Sequence, residues 1–232
     1  MKKLFCAAAL PLALFCGFAN ASVTGAVTLV SPNTGAPGGT FQYLATPPAA
    51  IGKNNINVND TVFAFSEQQS TLFGTAPVTD LGGAIASGTL VSSYYVYFDP
   101  AVSQRIKASL TFSETILGVY FVTGTADSSR HGVFHSGTGL KGSADDFGLS
   151  NVDYQYVAAT GLEAADRSSA HLYFQGNTLN LDWTASNPGD HIRVLTAAPL
   201  VSAVPEPETY AMLLAGLGLV GSMVVRRRDQ QS

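Results

Sequence analysis

The chain has 232 residues, and only 12% of them carry a charge. Sixteen Asp and Glu outnumber twelve Lys and Arg, and basic residues cluster only at the two ends, which excludes a nucleic-acid partner held through its phosphates. Abundant Gly, Ser, Thr and Asn with frequent Tyr and Phe point to an extracytoplasmic β protein rather than a cytosolic enzyme.

At the N-terminus, Lys2 and Lys3 lead into the apolar stretch Leu4 to Phe18, and Ala19-Asn20-Ala21 fits the small-x-small rule of signal peptidase. Residues 1–21 are therefore expected to be a signal peptide, cut between Ala21 and Ser22. A lipoprotein signal needs small residues before its cysteine, and Phe15 precedes Cys16. Both cysteines, Cys6 and Cys16, fall in this segment. The mature chain is thus expected to fold on its core alone, without disulfides, a thiol nucleophile or thiolate metal ligands.

Residues 22–203 are long enough for one domain with a sizeable core. Thirteen Asp and Glu face seven Lys and Arg there. Apolar runs at FQYLA, TVFAF and SYYVYF predict buried strands. From Arg105 to Ser113 every second residue is apolar, with Ile106, Ala108, Leu110 and Phe112 on one face, which predicts a half-buried strand. ILGVYFV follows as another buried run. Asn151 to Tyr156 and Thr178 to Trp183 alternate in the same way, and HLYFQ and HIRVLT complete the set. Turn clusters such as SPNTGAPGG, KNNINVND, DLGG and SNPGD separate them. About ten short strands with no sustained 3.6 period predict an all-β fold. The expected form is an antiparallel, jelly-roll-like β-sandwich with Ile106, Leu110, Phe112, Tyr154, Leu181 and Trp183 inside. Beyond the two terminal segments, only GLEAADRSSA is expected to hold a helical turn.

Candidate chemistry is sparse. The longest irregular stretch, Asp127 to Ser150, holds His131, His135, Asp145 and Asp146. The histidines are spaced as on a zinc-binding helix, yet Gly132, Gly137 and Gly139 argue against a helix, and the usual glutamate is missing. Asp145 and Asp146 could offer calcium two oxygens, without the alternating EF-hand pattern. Glycoside hydrolysis needs two opposed carboxylates, and Glu67, Glu114 and Glu163 sit in no recognisable motif. No catalytic, cofactor or metal residue is assigned. Tyr94, Tyr95, Tyr97, Tyr120, Tyr154, Tyr156, Tyr173 and Trp183 are expected to fill the core or pair across strands rather than bind sugars.

The tail, residues 204–232, has three parts. Val204-Pro205-Glu206-Pro207-Glu208-Thr209 is expected to be extended, because each proline disfavours helix before it. Tyr210 to Val225 is an apolar run suited to a single transmembrane helix. Arg226, Arg227 and Arg228 form a basic stop held in the cytoplasm by the positive-inside rule. Motif, apolar span, glycines and arginines in this order resemble the PEP-CTERM sorting signal. That resemblance implies export through the inner membrane of a Gram-negative bacterium and a transient tether in the membrane. It also implies processing near Pro205, Glu206 and Pro207 by an exosortase-like enzyme, and a final place in the envelope or extracellular matrix. It covers the tail alone.

For the middle domain the expectation is a non-enzymatic structural or adhesive component linked to exopolysaccharide and biofilm. The alternatives are a polysaccharide-active enzyme, using carboxylates near Asp145, Asp146 or Glu163, and a carbohydrate-binding module. Two opposed carboxylates in a cleft would mark the enzyme, a flat aromatic face beside a calcium cage the binder, and neither feature the structural reading.

Overall fold

The computed structural model describes residues 22–31, 38–52, 56–72, 78–121, 147–155, 162–187, 189–198, 214 and 216–217. The chain divides into two units, Met1–Pro199 and Leu200–Ser232. In the second unit Leu214, Gly216 and Leu217 are helical and exposed. Among the described residues no helix is long and apolar enough to cross a membrane. The expected signal peptide, and the rest of the expected transmembrane helix, lie outside the described residues.

The first unit is built from strands, as its alternating segments predict. One sheet of four has the order β1 (Val23–Ser31), β7 (Gln104–Phe112), β11 (Thr178–Ala185), β10 (Leu172–Gln175), antiparallel throughout. A second sheet runs β2 (Thr40–Tyr43), β4 (Thr61–Ser66), β6 (Leu90–Phe98), β12 (Asp190–Ala197), β8 (Ile116–Tyr120), with β5 (Thr71–Leu72) also on β6. β3 (Ala50–Gly52) and β9 (Asp153–Gln155) form a separate ribbon. Two ladders, β2–β4 and β3–β9, are parallel, so the purely antiparallel expectation is corrected to a mixed one. Parallel partners need long crossovers, and the stretches between β2 and β4 and between β3 and β9 supply them. The β2–β4 ladder is also joined by side chains: Thr40 Oγ1 lies 2.6 Å from Thr61 Oγ1, and the Tyr43 hydroxyl 2.7 Å from Ser66 Oγ.

Strand periodicity sets the burial. On β7, Ile106, Ala108, Leu110 and Phe112 are buried, while Lys107 and Thr111 are exposed. β12 is buried on both faces, as suits a strand between two others. Its Ile192 and Val194 join a core that also takes side chains from β4, β6, β7, β10 and β11, with Trp183 fully buried. Its alternate residues His191, Arg193 and Leu195 face the other way. Leu195 joins a second core of Phe65, Tyr95, Tyr97 and Tyr120 from the same sheet with Ile51, Phe147, Val152 and Tyr154. Tyr154 is thus buried as expected, but in this second core rather than with Leu110 and Trp183.

β1 was not apparent in the sequence. Gly25 sits where its core-facing alternation needs an apolar residue. A Cβ there would stand 2.5 Å from Leu110 Cδ2 and 2.6 Å from Phe41 Cγ, so glycine is what lets β1 approach these side chains.

The second core encloses an ion pair. Arg193 Nε and Nη2 donate to the Glu67 carboxylate at 2.5 and 2.6 Å, and both side chains are wholly buried. The guanidinium carbon lies 5.7 Å from the Phe147 ring centre and 5.8 Å from those of Tyr95 and Tyr154. Bidentate hydrogen bonding and ring faces together offset the lost hydration. Beside it, Tyr95 and His191 Nδ1 are 2.8 Å apart. Burial pushes the His191 pKa down to about 3, so this imidazole is neutral. Glu67→Gln leaves the guanidinium without its counter-charge and is expected to cost about 3–5 kcal/mol. The double variant Glu67→Leu, Arg193→Met should regain most of that loss. Urea unfolding followed by tryptophan fluorescence checks both.

Candidate functional site

The segment LEAADRSSAH, residues 162–171, leads into β10 and bonds to Phe121 after β8 and to β11. Leu162 is fully buried and its amide donates to Phe121 O at 3.3 Å. The expected turn forms: Glu163 O accepts from the amides of Asp166 at 3.1 Å and Arg167 at 3.2 Å, and Ser168 O accepts from His171 and Leu172, both at 2.9 Å. These bonds turn Asp166 inward, where its Oδ2 accepts from the Thr184 amide of β11 at 3.2 Å. At the start of β12, Gly189 adopts φ 86°, and its amide bonds to Ser186 O. The next residue, Asp190, is 1% exposed.

These elements bring three carboxylates together. One oxygen from each of Glu163, Asp166 and Asp190 lies within 4.8 Å of the others. Glu163 is exposed, and both aspartates are buried. Asp190 Oδ2 is buried with no hydrogen-bond partner among the described residues. Burial, and then the charges of Glu163 and Asp166, push the Asp190 pKa up to about 9. Burial also raises Asp166, partly opposed by the Thr184 amide and His171. Hard oxygens in this arrangement can hold a divalent cation.

A shallow cleft of about 300 Å³ lies beside this cluster, on the outer face of the four-stranded sheet. Thr28, Lys107, Asn180, Asp182, His171 and Tyr173 help to line it. Tyr173 is 46% exposed. Asp182 receives Arg105 Nε at 2.8 Å and Nη2 at 2.9 Å, with Lys107 Nζ at 3.4 Å. The Arg105 hydrogen bond holds the Asp182 pKa below the usual carboxylate range. His171 connects cleft and cluster, its Nδ1 lying 3.7 Å from Asp166 Oδ1.

The structure scatters most residues singled out from sequence. Glu67 belongs to the buried ion pair, Glu114 is half-buried after β7, and only Glu163 enters a cluster. Ser22 is exposed, and its carbonyl accepts from the Ser113 amide at 3.1 Å. Tyr94, Tyr95, Tyr97, Tyr120, Tyr154 and Trp183 are buried, as core filling requires, and Tyr173 is not. Ala21, His131, His135, Asp145, Asp146, Tyr156, Pro205, Glu206, Pro207, Arg226, Arg227 and Arg228 lie outside the described residues. Sequence reasoning missed Asp166 and Asp190. Their signal was weak: an acid three residues after Glu163, and another at the head of an apolar strand.

Comparison with known families decides the tail. The model of the PEP-CTERM protein-sorting motif matches residues 203–228. The chain carries a PEP-CTERM sorting motif. Such a motif marks exported, membrane-anchored proteins of Gram-negative bacteria that an exosortase processes. No curated protein and no solved structure matches the chain.

The Asp190 pKa shift has a definite sign. A carboxyl raised from 3.8 to about 9 contributes stability that is fully present below the lower value. That stability is lost as the pH rises through the upper value. Asp190→Asn removes the loss. In metal-free buffer its melting temperature is expected to gain on the parent's steadily between about pH 4 and about pH 9. Thermal melts across that range check this.

Proposed function

We propose that this chain is a non-enzymatic surface or matrix protein, an exported β-sandwich delivered by its PEP-CTERM tail to a polysaccharide-rich envelope. The tail carries the reading, because residues 203–228 match the sorting motif. The sandwich is supported by one core fed from both large sheets. A structural or adhesive role is supported by the cleft, where Asp182 is already engaged by Arg105 and Lys107. A hydrolase would need a second carboxylate opposite a free one.

In this reading the tail works in two stages. The apolar segment and Arg226, Arg227 and Arg228 stop translocation, and the enzyme then reads Pro205, Glu206 and Pro207. Changing that triplet to Ala keeps the anchor and should leave full-length protein in the membrane. Changing the arginines to Ser should let some chains pass through unprocessed. Separate tags on the domain and on the extreme C-terminus, followed by immunoblotting in an exosortase-bearing host, read both outcomes. Two tags persisting on one wild-type band would refute processing.

A second reading, carbohydrate binding, is favoured by one observation. Tyr173 stands half-exposed among Asn180, Lys107 and Ser109 in the cleft, and a sugar ring can stack on an aromatic face while its hydroxyls bond to polar neighbours. Tyr173→Ala should weaken co-sedimentation with the host's exopolysaccharide about tenfold, the factor worth 1.4 kcal/mol, without lowering the melting temperature. Equal retention by parent and variant would discard this cleft as the binding surface.

A further inference from the structure

We propose that Glu163, Asp166 and Asp190 form a calcium site where the 162–171 turn meets β11 and β12. The first support is spacing. Two oxygens on one ion lie no farther apart than twice the metal–oxygen distance, which is about 4.6–5.2 Å for calcium. One oxygen of each carboxylate already falls within 4.8 Å of the others, inside the range that two ligands of one calcium ion span.

The second support is independent. Asp190 is 99% removed from solvent by its 1% exposure, yet its Oδ2 meets no hydrogen-bond partner among the described residues. A buried carboxylate is normally paired or bound to a metal. Among the described residues, Arg167 Nε donates to Leu162 O at 2.5 Å, and Arg105 and Lys107 hold Asp182. His171 approaches Asp166 instead, its Nδ1 lying 3.7 Å from Oδ1.

Donor chemistry selects the ion. All three groups are carboxylates, the hard oxygen ligands that calcium prefers. Zinc favours nitrogen and sulfur, and both cysteines of the chain, Cys6 and Cys16, stand far away in sequence, in the N-terminal segment. Magnesium demands near-octahedral geometry at about 2.0–2.1 Å and rarely takes three protein carboxylates at once. Calcium tolerates an irregular shell completed by water. The buried aspartates would set its position, and exposed Glu163 would close over it from the solvent side. Bound there, the ion ties the turn to β12 of one sheet, while the Thr184 amide already holds Asp166 to β11 of the other, next to the cleft that His171 lines. The site uses none of the tail residues, so it stands or falls separately from sorting.

The test is calcium titration of the full-length chain in detergent, read by thermal melting and by terbium luminescence. Calcium at a hundredfold excess over its Kd should raise the melting temperature by about 5–10 °C, and magnesium by much less. Glu163→Gln, at an exposed position that should not disturb folding, should weaken calcium affinity at least about tenfold. Asp190→Asn should abolish the shift while melting no lower than the parent in chelator. If Asp190→Asn fails to fold, Glu163→Gln decides alone. No calcium shift at about 10 mM, well above the affinity range of extracellular calcium modules, would overturn the site. An unchanged shift in Glu163→Gln, or an equal shift with magnesium, would also overturn it.

Discussion

The pairing of Arg193 with Glu67 is the constraint around which the six-stranded sheet is organised. An arginine at the middle of a central strand has no access to water. It can be tolerated only if a carboxylate reaches it and the remaining guanidinium surface meets ring faces. Glu67 follows β4, Phe147 comes from beyond the sheet, and Tyr154 belongs to β9. One buried charge therefore brings together β12, the residue after β4 and the 147–155 stretch, which are far apart in sequence. Purely apolar contacts would hold these segments as strongly without specifying which must meet.

That demand explains the aromatic crowding on one face of the sheet. Phe63 stacks on Tyr97 at 5.3 Å and Phe65 on Tyr95 at 5.4 Å, so β4 and β6 are matched ring by ring as well as by their hydrogen bonds. Burial raises the pKa of the Tyr97 and Tyr154 hydroxyls, which keeps both neutral, Tyr154 directly beside the charged pair. His191 is likewise held neutral. The core therefore carries one ion pair and a surrounding set of polar groups that stay uncharged. A domain without cysteines in residues 22–203 gains its uniqueness from this pairing instead of from covalent bridges.

What the sequence made legible was whatever a single stretch of chain encodes. β7 and β11 alternate apolar and polar residues over their whole length, so their inward faces could be named residue by residue. The sorting tail was legible for the same reason: motif, apolar run and arginines are contiguous. β1 was not, because Gly25 occupies a core-facing position for the sake of Phe41 and Leu110, and that need is visible only in three dimensions. The parallel partners of β2 and β3 left no local mark. Glu67 and Arg193 are 126 positions apart, and Asp190 is separated from Glu163 by β10 and β11, so neither constellation could be read from spacing. An arginine inside HIRVLT was the only local trace of the ion pair.

β12 occupies an interior place in its sheet, with β6 on one side and β8 on the other, yet it is the last strand among the described residues. Synthesis proceeds from the N-terminus. The sheet's interior therefore stays open until residues 190–197 have been made, and contacts of such long sequence separation form slowly. Until then β6 and β8 each present an unpaired edge to the outside, a hazard for aggregation and proteolysis. The sorting motif begins only a few residues later, at 203. Completion of the sheet and synthesis of the sorting motif are thus nearly simultaneous, so a chain cut short before β12 offers the processing enzyme neither a finished sheet nor a signal to act on.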